Sequence, residues 1–346
     1  GNLRINWRRL QSRLDRLAEI GAGENGACCR LALTAEDKAG RDLVTGWMRE
    51  LGLEVEIDAI GNIMAQRKGR DHGPPVMSGS HIDTVRTGGR YDGNYGVLGA
   101  LEVIETLNEA GITTRRPLAV GVFTNEEGAR FQPDMLGSLV YAGGLPLAEA
   151  LDVRAIDGAR LGDELARIGY AGARAPGAVR PHAFVELHIE QGPVLDAEGI
   201  TIGAVENLQG ISWQELQING QSNHAGTTPM RLRRDAGYAA AAVAEFVRRL
   251  TREIGGNQVG TVGAIELHPN LINVIASRAK LTVDLRNTDE AMLQEAERRL
   301  AGFLADLAGA ESVEIKSRSL ARFEPVSFDE GVVEVLEEIG RASCRE

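Results

Sequence analysis

The stretch GSHIDTVRTGGRYDGNYGV combines a histidine with two acidic residues in a glycine-rich setting. His81 and Asp83 lie two residues apart, and Asp92 follows among glycines. Imidazole and carboxylate groups together suit zinc, manganese or a similar divalent ion. Because residues i and i+2 of a strand face the same side, Asp83 can orient the ring of His81. By itself, such a pattern is more typical of a polar loop than of a metal site.

Two further stretches carry the same ligand types: TNEEG contains Glu126 and Glu127, and VELHIEQ contains His188. Two acids that end an apolar strand are costly to bury unless a partner compensates them. One of them can bind a metal, and the other can act as general base toward a water that the metal activates. A solvated turn and a hydrogen-bonded core histidine are the simpler alternatives. When these residues are considered together with His81 and Asp92, a metal site is as well supported as the simpler alternatives.

A second polar set lies further along the chain, with His224 in GQSNHAGTTPM, Asn273 in HPNLINVI and Arg286 in VDLRNTD. The guanidinium fork of Arg286 can bind both oxygens of a substrate carboxylate. His224 can polarise a carbonyl or stabilise an oxyanion. Turn residues and a surface salt bridge are the alternative interpretation, which these residues favour when taken alone.

Strand-like and helix-like segments alternate through the first two hundred residues and position the first polar set. PPVMSGSHID, RPLAVGVFTNEEG and HAFVELHIEQGP are apolar runs that end in polar residues, and YGVLGALEVIETLNEAG has helical spacing. This alternation predicts an α/β sheet. Each polar cluster lies where a strand ends, which is the edge where open α/β sheets carry their sites.

The pattern changes near Gln209. The order of segments from there is strand, helix, two or three strands, helix and strand. That order predicts a small α+β domain with one helical face, of the ferredoxin-like type, inserted at about 209–322.

Composition narrows the class of protein. The chain has 346 residues, 43% hydrophobic and 25% charged, as is ordinary for a globular protein of two domains. A net charge of -11 argues against a nucleic-acid partner. No apolar run approaches the ~20 residues of a membrane span. Charges interrupt the N-terminal helix pattern, and three cysteines form no disulfide framework, so we expect a cytoplasmic protein.

With these motifs in view, the chain resembles the hydantoinase/carbamoylase subgroup of the di-metal amidohydrolases, relatives of aminoacylase and the glutamate carboxypeptidases. The matching stretches occur in family order from about residue 5 to residue 338. The pair ELHIEQGPVL and TNEEGARF separates the subgroup from its other relatives. The resemblance implies a catalytic domain at 1–208 and 323–346, with a mixed sheet and helices on both faces. Residues 209–322 would form a lid domain that also provides the interface of a homodimer.

The resemblance also implies a role for each candidate residue. Asp92 would bridge two divalent ions, zinc or manganese, with cobalt or nickel as alternatives. His81 and His188 would complete the shell of one ion, and Glu127 would bind the other. Glu126 would be the general base.

The remaining catalytic and substrate-binding roles follow from the same resemblance. Asp83 would orient the ring of His81. The residues that would hold the substrate are Gln191, His224, Asn273 and Arg286. The Asp92–Gly93 peptide bond would be cis.

The chain departs from the family pattern near its end. Family members carry one more metal-binding histidine there, in a stretch like SGAGHDA, whereas this sequence has no histidine after His268 and ends in GRASCRE. The second ion would then keep only Asp92 and Glu127 as protein ligands, fewer than the three usual for a catalytic zinc. We therefore expect weak binding of the second metal and little activity.

The expected reaction is hydrolysis of a linear C–N amide in a ureido acid. An N-carbamoyl-L-amino acid would give the amino acid, CO2 and ammonia. Allantoate amidohydrolase activity is the nearest alternative, and no residue decides between the two. A non-catalytic relative that dimerises through 209–322 is the alternative from another class. We expect a small-molecule partner and neither nucleic acid nor membrane.

Overall fold

The computed structural model describes residues 3–343, and the side chains of 3–340. The last three residues of the stretch GRASCRE, including Cys344, lie outside the described residues. The chain divides between Val194 and Leu195 into two compact units. None of the helices in the described part is both long and apolar enough to cross a membrane.

The first unit is a mixed α/β structure. Its strands are β1 (Glu54–Ile57), β2 (Ile63–Arg67), β3 (Val76–Ser80), β4 (Leu118–Val122) and β5 (Ala183–Val185). Its helices are α1 (Trp7–Glu19), α2 (Ala35–Glu50), α3 (Asn94–Glu109), α4 (Leu136–Ala142), α5 (Leu147–Asp152) and α6 (Leu161–Ile168). A further short helix, α7 (Val194–Glu198), begins where the units divide.

The sheet of the first unit has the strand order β1-β2-β4-β3-β5. The pairs β1–β2 and β2–β4 are antiparallel, whereas β3 runs parallel to both β4 and β5. The predicted mixed-sheet α/β fold is therefore confirmed. Because β3, β4 and β5 share a direction, the polar residues that follow them emerge at one edge.

The two faces of this sheet pack differently. Ile63 and Ala65 face a large core that includes apolar residues of α1, α2 and α3, while Met64 between them joins a small cluster on the opposite face. Helix α3 packs closely on the sheet at Gly96. A Cβ there would lie 2.6 Å from the Leu187 carbonyl oxygen, so only glycine allows this approach.

The second unit contains the predicted strand and helix order. Its main elements are β7 (Gly210–Asn219), α8 (Ala236–Ile254), β8 (Val259–His268), β9 (Arg278–Asn287), α9 (Glu290–Glu311) and β10 (Glu314–Phe323). They form an antiparallel sheet in the order β10-β7-β9-β8. This order confirms the ferredoxin-like arrangement. Further elements are β6 (Asn207–Leu208), β11 (Val326–Ser327) and α10 (Glu330–Ser343).

Period-two alternation along β9 explains how the second unit builds its core. Leu281, Val283 and Leu285 are buried on one face of the strand, where they join apolar residues of α8 and α9. The rings of Phe246 and Phe303 stack with centroids 4.0 Å apart between the two helices. The helices therefore cover one face of the sheet, as predicted.

The structure corrects two details of the sequence interpretation. The segment HAFVELHIEQGP forms only the three residues of β5, and the chain then leaves the sheet before His188. The cis peptide bonds of the described residues are Gln132–Pro133 and His268–Pro269, so Asp92–Gly93 is trans and the expectation of a cis bond there was wrong. Gly93 turns the chain with a positive φ of 67° instead, which avoids the ~3 kcal/mol that a non-proline cis bond costs.

Candidate metal centre

The loop that carries Asp92 lies directly against the ring of His81. The Asp92 carbonyl accepts a hydrogen bond from the Asn94 N–H at 2.7 Å, and Gly93 between them has a positive φ. A Cβ on Gly93 would lie 2.5 Å from His81 Cε1. A glycine after Asp92 is thus required for the carboxylate to reach the end of β3.

Three of the predicted metal ligands bring their donor atoms together. Asp92 Oδ1 lies 3.6 Å from His81 Nε2 and 3.2 Å from His188 Nε2, and one ligand atom from each residue falls within 4.8 Å of the others. Ligands 2.0–2.1 Å from a tetrahedral zinc lie about 3.3 Å from each other. Asp92 Oδ1 is also buried without a hydrogen-bond partner. The spacing and the unpaired oxygen both fit a metal ion.

Backbone carbonyls orient both imidazole rings. His81 Nδ1 lies 2.9 Å from the Asp83 carbonyl oxygen, and His188 Nδ1 lies 2.8 Å from that of Ile189. A carbonyl oxygen only accepts, so each Nδ1 carries the proton of the neutral ring. The Nε2 lone pairs of both rings are then free to face Asp92, as metal ligands require.

The carboxylate of Asp83 supports the two glutamates. Asp83 is fully buried, and its oxygens accept the backbone N–H groups of Glu126 at 3.1 Å and Glu127 at 3.2 Å. Its carboxylate approaches His81 Nδ1 only to 3.8 Å, so its contact with the ring is made by its backbone carbonyl. Asp83 therefore links the end of β3 to the turn after β4.

The two glutamates occupy different positions in the site. Glu126 Oε2 lies 3.3 Å from His81 Nε2, beside the three converging donors. Glu127 is not one of those three donors. Burial raises the pKa of both carboxyl groups, that of Glu127 to about 7.

The acidic groups raise the pKa of both imidazoles. Burial by itself lowers the pKa of His81, but Asp92, Asp83 and Glu126 raise it to about 10. Contact with Asp92 raises the pKa of His188 to about 9. His188 and His81 in turn hold the pKa of Asp92 well below its usual range. The cluster favours positive charge at this point, which a divalent cation would supply in place of protons.

Gln191, a predicted substrate residue, contacts the same carboxylate. Its side-chain amide donates to Asp92 Oδ2 at 2.7 Å, and its backbone has a positive φ of 54°. The structure thus places Gln191 beside Asp92, one of the candidate metal ligands of the first unit.

In the second unit, His224 and Asn273 are neighbours. The Asn273 carbonyl accepts the Ala225 N–H at 2.9 Å, next to a bridge between His224 and Val274. His224 Nδ1 accepts the Gly226 N–H at 3.0 Å, so the neutral ring carries its proton on Nε2. The exposed ring of His224 is therefore a hydrogen-bond donor.

Arg286, predicted to bind a substrate carboxylate, forms a salt bridge with a carboxylate of its own strand. It donates from Nε and Nη2 to the Asp284 carboxylate, with Nη2 3.0 Å from Oδ2, and its guanidinium lies 5.6 Å from the centroid of the Trp213 ring. Residues i and i+2 of β9 share a face, which explains this pair.

Sequence reasoning missed two contacts at this edge. The hydroxyl of Ser80, the last residue of β3, donates to the Glu186 carboxylate after β5. Arg30 is fully buried and donates to Ile82 and Asn94, close in sequence to the candidate metal ligands His81 and Asp92. A basic residue inside the apolar run ACCRLAL was the available signal for Arg30.

Comparisons with known proteins identify the family and several relatives of this chain. Residues 77–344 match the model of the peptidase family M20/M25/M40. The N-carbamoyl-L-amino-acid amidohydrolase of Rhizobium meliloti is 40% identical over 97% of this chain and 81% of its own length. The ureidoglycolate hydrolase of Arabidopsis thaliana is 36% identical over 94% of this chain and 70% of its own length. The crystal structure of a hydantoinase/carbamoylase family amidase from Burkholderia multivorans matches with a TM-score of 0.96 and 44% identity, covering 99% of this chain and 84% of that one.

We expect the cluster of His81, Asp92 and His188 to bind zinc. Replacing Asp92 by Asn, or His188 by Ala, should weaken zinc binding at least about 100-fold, since losing even a side chain that orients a ligand costs about 10–100-fold. Competition with a chromophoric chelator measures this affinity. His182→Ala is the matched control, because His182 is an exposed histidine before β5. Unchanged affinity in Asp92→Asn, or an equal loss in the control, would contradict the assignment.

Proposed function

Because the chain belongs to the peptidase family M20/M25/M40, we propose that it is a metal-dependent amidohydrolase of ureido acids. The substrate class is the N-carbamoyl-L-amino acids, which give an amino acid, CO2 and ammonia. The observation that carries the proposal is the convergence of the Asp92, His81 and His188 donors beside the Glu126 carboxylate. The N-carbamoyl-L-amino-acid amidohydrolases among its relatives support the reaction class.

The proposed cofactors are two divalent ions, zinc or manganese. His81, His188 and Asp92 would hold one ion, and Asp92 with Glu127 would hold the other. A divalent ion bound here would lower the pKa of a water molecule and polarise the scissile carbonyl.

Glu126 is the proposed general base. Its backbone N–H donates to Asp83, which holds the turn that carries its side chain. Burial raises its pKa and brings it closer to the working pH, where a carboxylate both accepts and returns a proton. Glu126 takes the proton of the attacking water and then protonates the leaving nitrogen. Asp83 contributes by holding both the Glu126 turn and the ring of His81.

The second unit is proposed to recognise the substrate. The Nε2–H of His224 would donate to the oxyanion as a neutral group, and Asn273 would donate its side-chain amide. Arg286 would bind the substrate carboxylate and share its guanidinium with Asp284. Gln191 would orient the substrate beside Asp92.

We also propose that residues 209–322 form an inserted lid and dimerisation domain, and that 1–208 with 323–346 form the catalytic domain. The antiparallel pair β6–β11 supports this division, because it joins Asn207 to Ser327 and so brings the entry and exit of the insertion together. Strand β8 is an edge strand with exposed apolar side chains at Val259, Ile265 and Leu267. Such an edge is suited to pairing with a second copy.

Ureidoglycolate is the second candidate substrate, on the strength of the 36% identity to a ureidoglycolate hydrolase. Allantoate shares the same ureido group and stays within the class. The first unit would perform the same chemistry on all three, so only the contacts around the rest of the substrate would differ.

Replacing each of the two adjacent glutamates by glutamine, one at a time, tests the roles assigned to them. Glu126→Gln should lower turnover by about 10²–10⁴-fold, the usual contribution of general acid–base catalysis, with metal content unchanged. Glu127→Gln should instead lower the metal content. Steady-state kinetics with metal analysis of the same samples separates the two effects. Wild-type turnover in Glu126→Gln would place the base elsewhere.

A substrate panel tests the reaction class. With added zinc or manganese, the protein should hydrolyse N-carbamoyl-L-amino acids faster than ureidoglycolate, allantoate or N-acetyl amino acids. Ammonia release measures the first three, and free amino acid measures the last. Preference for ureidoglycolate would favour the second candidate, and no turnover on any substrate would favour a non-catalytic assembly protein.

Sedimentation velocity tests the proposed dimer. The wild-type protein should sediment as a dimer, and Ile265→Lys should shift it toward the monomer, because a lysine on an edge strand opposes pairing. Val335→Lys is the control, since Val335 is exposed on α10. A monomeric wild-type protein, or dissociation by the control alone, would contradict the proposed interface.

A further inference from the structure

Arg30 is a fully buried arginine that the proposed reaction does not use. Its Nε donates to the Ile82 carbonyl at 2.7 Å, and its Nη2 donates to Asn94 Oδ1 at 3.0 Å. Its Nη1 donates to the carbonyls of Leu17 at 2.9 Å and Ile20 at 2.7 Å. The guanidinium thus joins the end of α1, the end of β3 and the start of α3.

The two acceptors Ile82 and Asn94 each lie within two residues of a proposed metal ligand. Ile82 lies between His81 and Asp83. Asn94 follows Asp92 by two residues, and its N–H donates to the Asp92 carbonyl at 2.7 Å. One rigid planar group therefore sets the distance between the backbone of the His81 segment and that of the Asp92 loop.

The Asn94 side chain is held at both ends. Its oxygen accepts from Arg30, and its side-chain N–H donates to the Arg90 carbonyl at 3.0 Å. The loop between Arg90 and Asn94 contains Asp92, so the same amide closes the loop that presents the carboxylate. The backbone N–H of Arg30 also donates to Thr84 Oγ1 at 2.7 Å, a second tie to the strand end after Asp83.

The acceptors of Arg30 are carbonyl and amide oxygens and the Cys28 thiol, all of them neutral. No carboxylate among the described residues forms a salt bridge with it. Placing a cation here without a paired acid is costly, so the group is not explained as a buried ion pair. The arrangement of its N–H donors, rather than its charge, explains why an arginine is buried at this position.

We propose that Arg30 is a positioning residue that sets the spacing of the His81 and Asp92 donors and thereby the affinity of the site for a divalent ion. This inference rests on the metal site of the proposed function. Lysine does not replace it, because an ammonium group carries three donors on one atom and cannot span Ile82 and Asn94 as the planar fork does.

Zinc affinity of the full chain, measured by competition with a chromophoric chelator, tests the proposal without reference to turnover. Arg30→Lys should bind zinc about 10–100-fold more weakly, the usual effect of losing a group that orients a ligand. Arg41→Lys is the matched control. Arg41 is also buried, but it donates to Asp37, the Gly61 carbonyl and Thr124, none of which is a proposed metal ligand. Both variants should lower the melting temperature, whereas only Arg30→Lys should lower zinc affinity.

Asn94→Ala keeps the test decisive if Arg30→Lys does not fold, because it leaves Arg30 in place and removes only one of its two links. It too should weaken zinc binding, and combining it with Arg30→Lys should cost less than the product of the two single effects. Wild-type zinc affinity in both single variants would overturn the proposal. So would tighter binding in Arg30→Met, which would mean that the charge of Arg30 repels the ion.

The zinc measurements and the substrate panel fail independently. A wild-type chain that binds zinc but hydrolyses no ureido acid would contradict the proposed function and leave the role of Arg30 standing. Loss of zinc affinity in Arg41→Lys equal to that in Arg30→Lys would overturn the role of Arg30 alone. A wild-type chain that binds neither zinc nor manganese would overturn both.

Discussion

Acidic side chains crowd one edge of the sheet in the first unit, and the cost of burying their charge governs the surrounding structure. Asp83 is compensated by two backbone N–H groups, and Asp92 lies between two imidazole rings. For Glu126 and Glu127, burial raises the pKa of the carboxyl group instead. The carboxylates therefore favour a positive charge beside them. In proteins, a bound divalent ion is often the largest local charge in such a site.

Sheet topology determines where that charge collects. Because β3, β4 and β5 are parallel, the residues that follow them share an edge, and α3 begins at the same place. Glycine allows the close approach at two points, with Gly96 against the sheet and Gly93 against His81. These two glycines therefore allow donors from distant segments to lie within a few ångströms of each other.

The chain is a hydrolase that acts on C–N bonds other than peptide bonds, as its N-carbamoyl-L-amino-acid amidohydrolase relatives at about 40% identity establish. The candidate residues of its two units differ in their chemistry. The first offers carboxylates and imidazole lone pairs, which suit a metal and a general base. The second offers N–H donors at His224 and Arg286, which suit an oxyanion and a carboxylate.

Much of this could be read from the sequence, because strand alternation, helical spacing and polar residues after apolar runs are local properties. They placed His81 after β3 and the two glutamates after β4, and they predicted the ferredoxin-like order of the second unit. The strand end expected at His188 was wrong, since β5 stops at Val185, and Asp92 lies in the loop before α3. Tertiary structure alone decided which donors converge, that Asp83 contacts the ring of His81 through its carbonyl, and that Arg30 joins two ligand segments. Those contacts join residues that lie far apart in sequence, such as Gln191 and Asp92, which are 99 positions apart. No local pattern encodes them, since each depends on how separate segments pack.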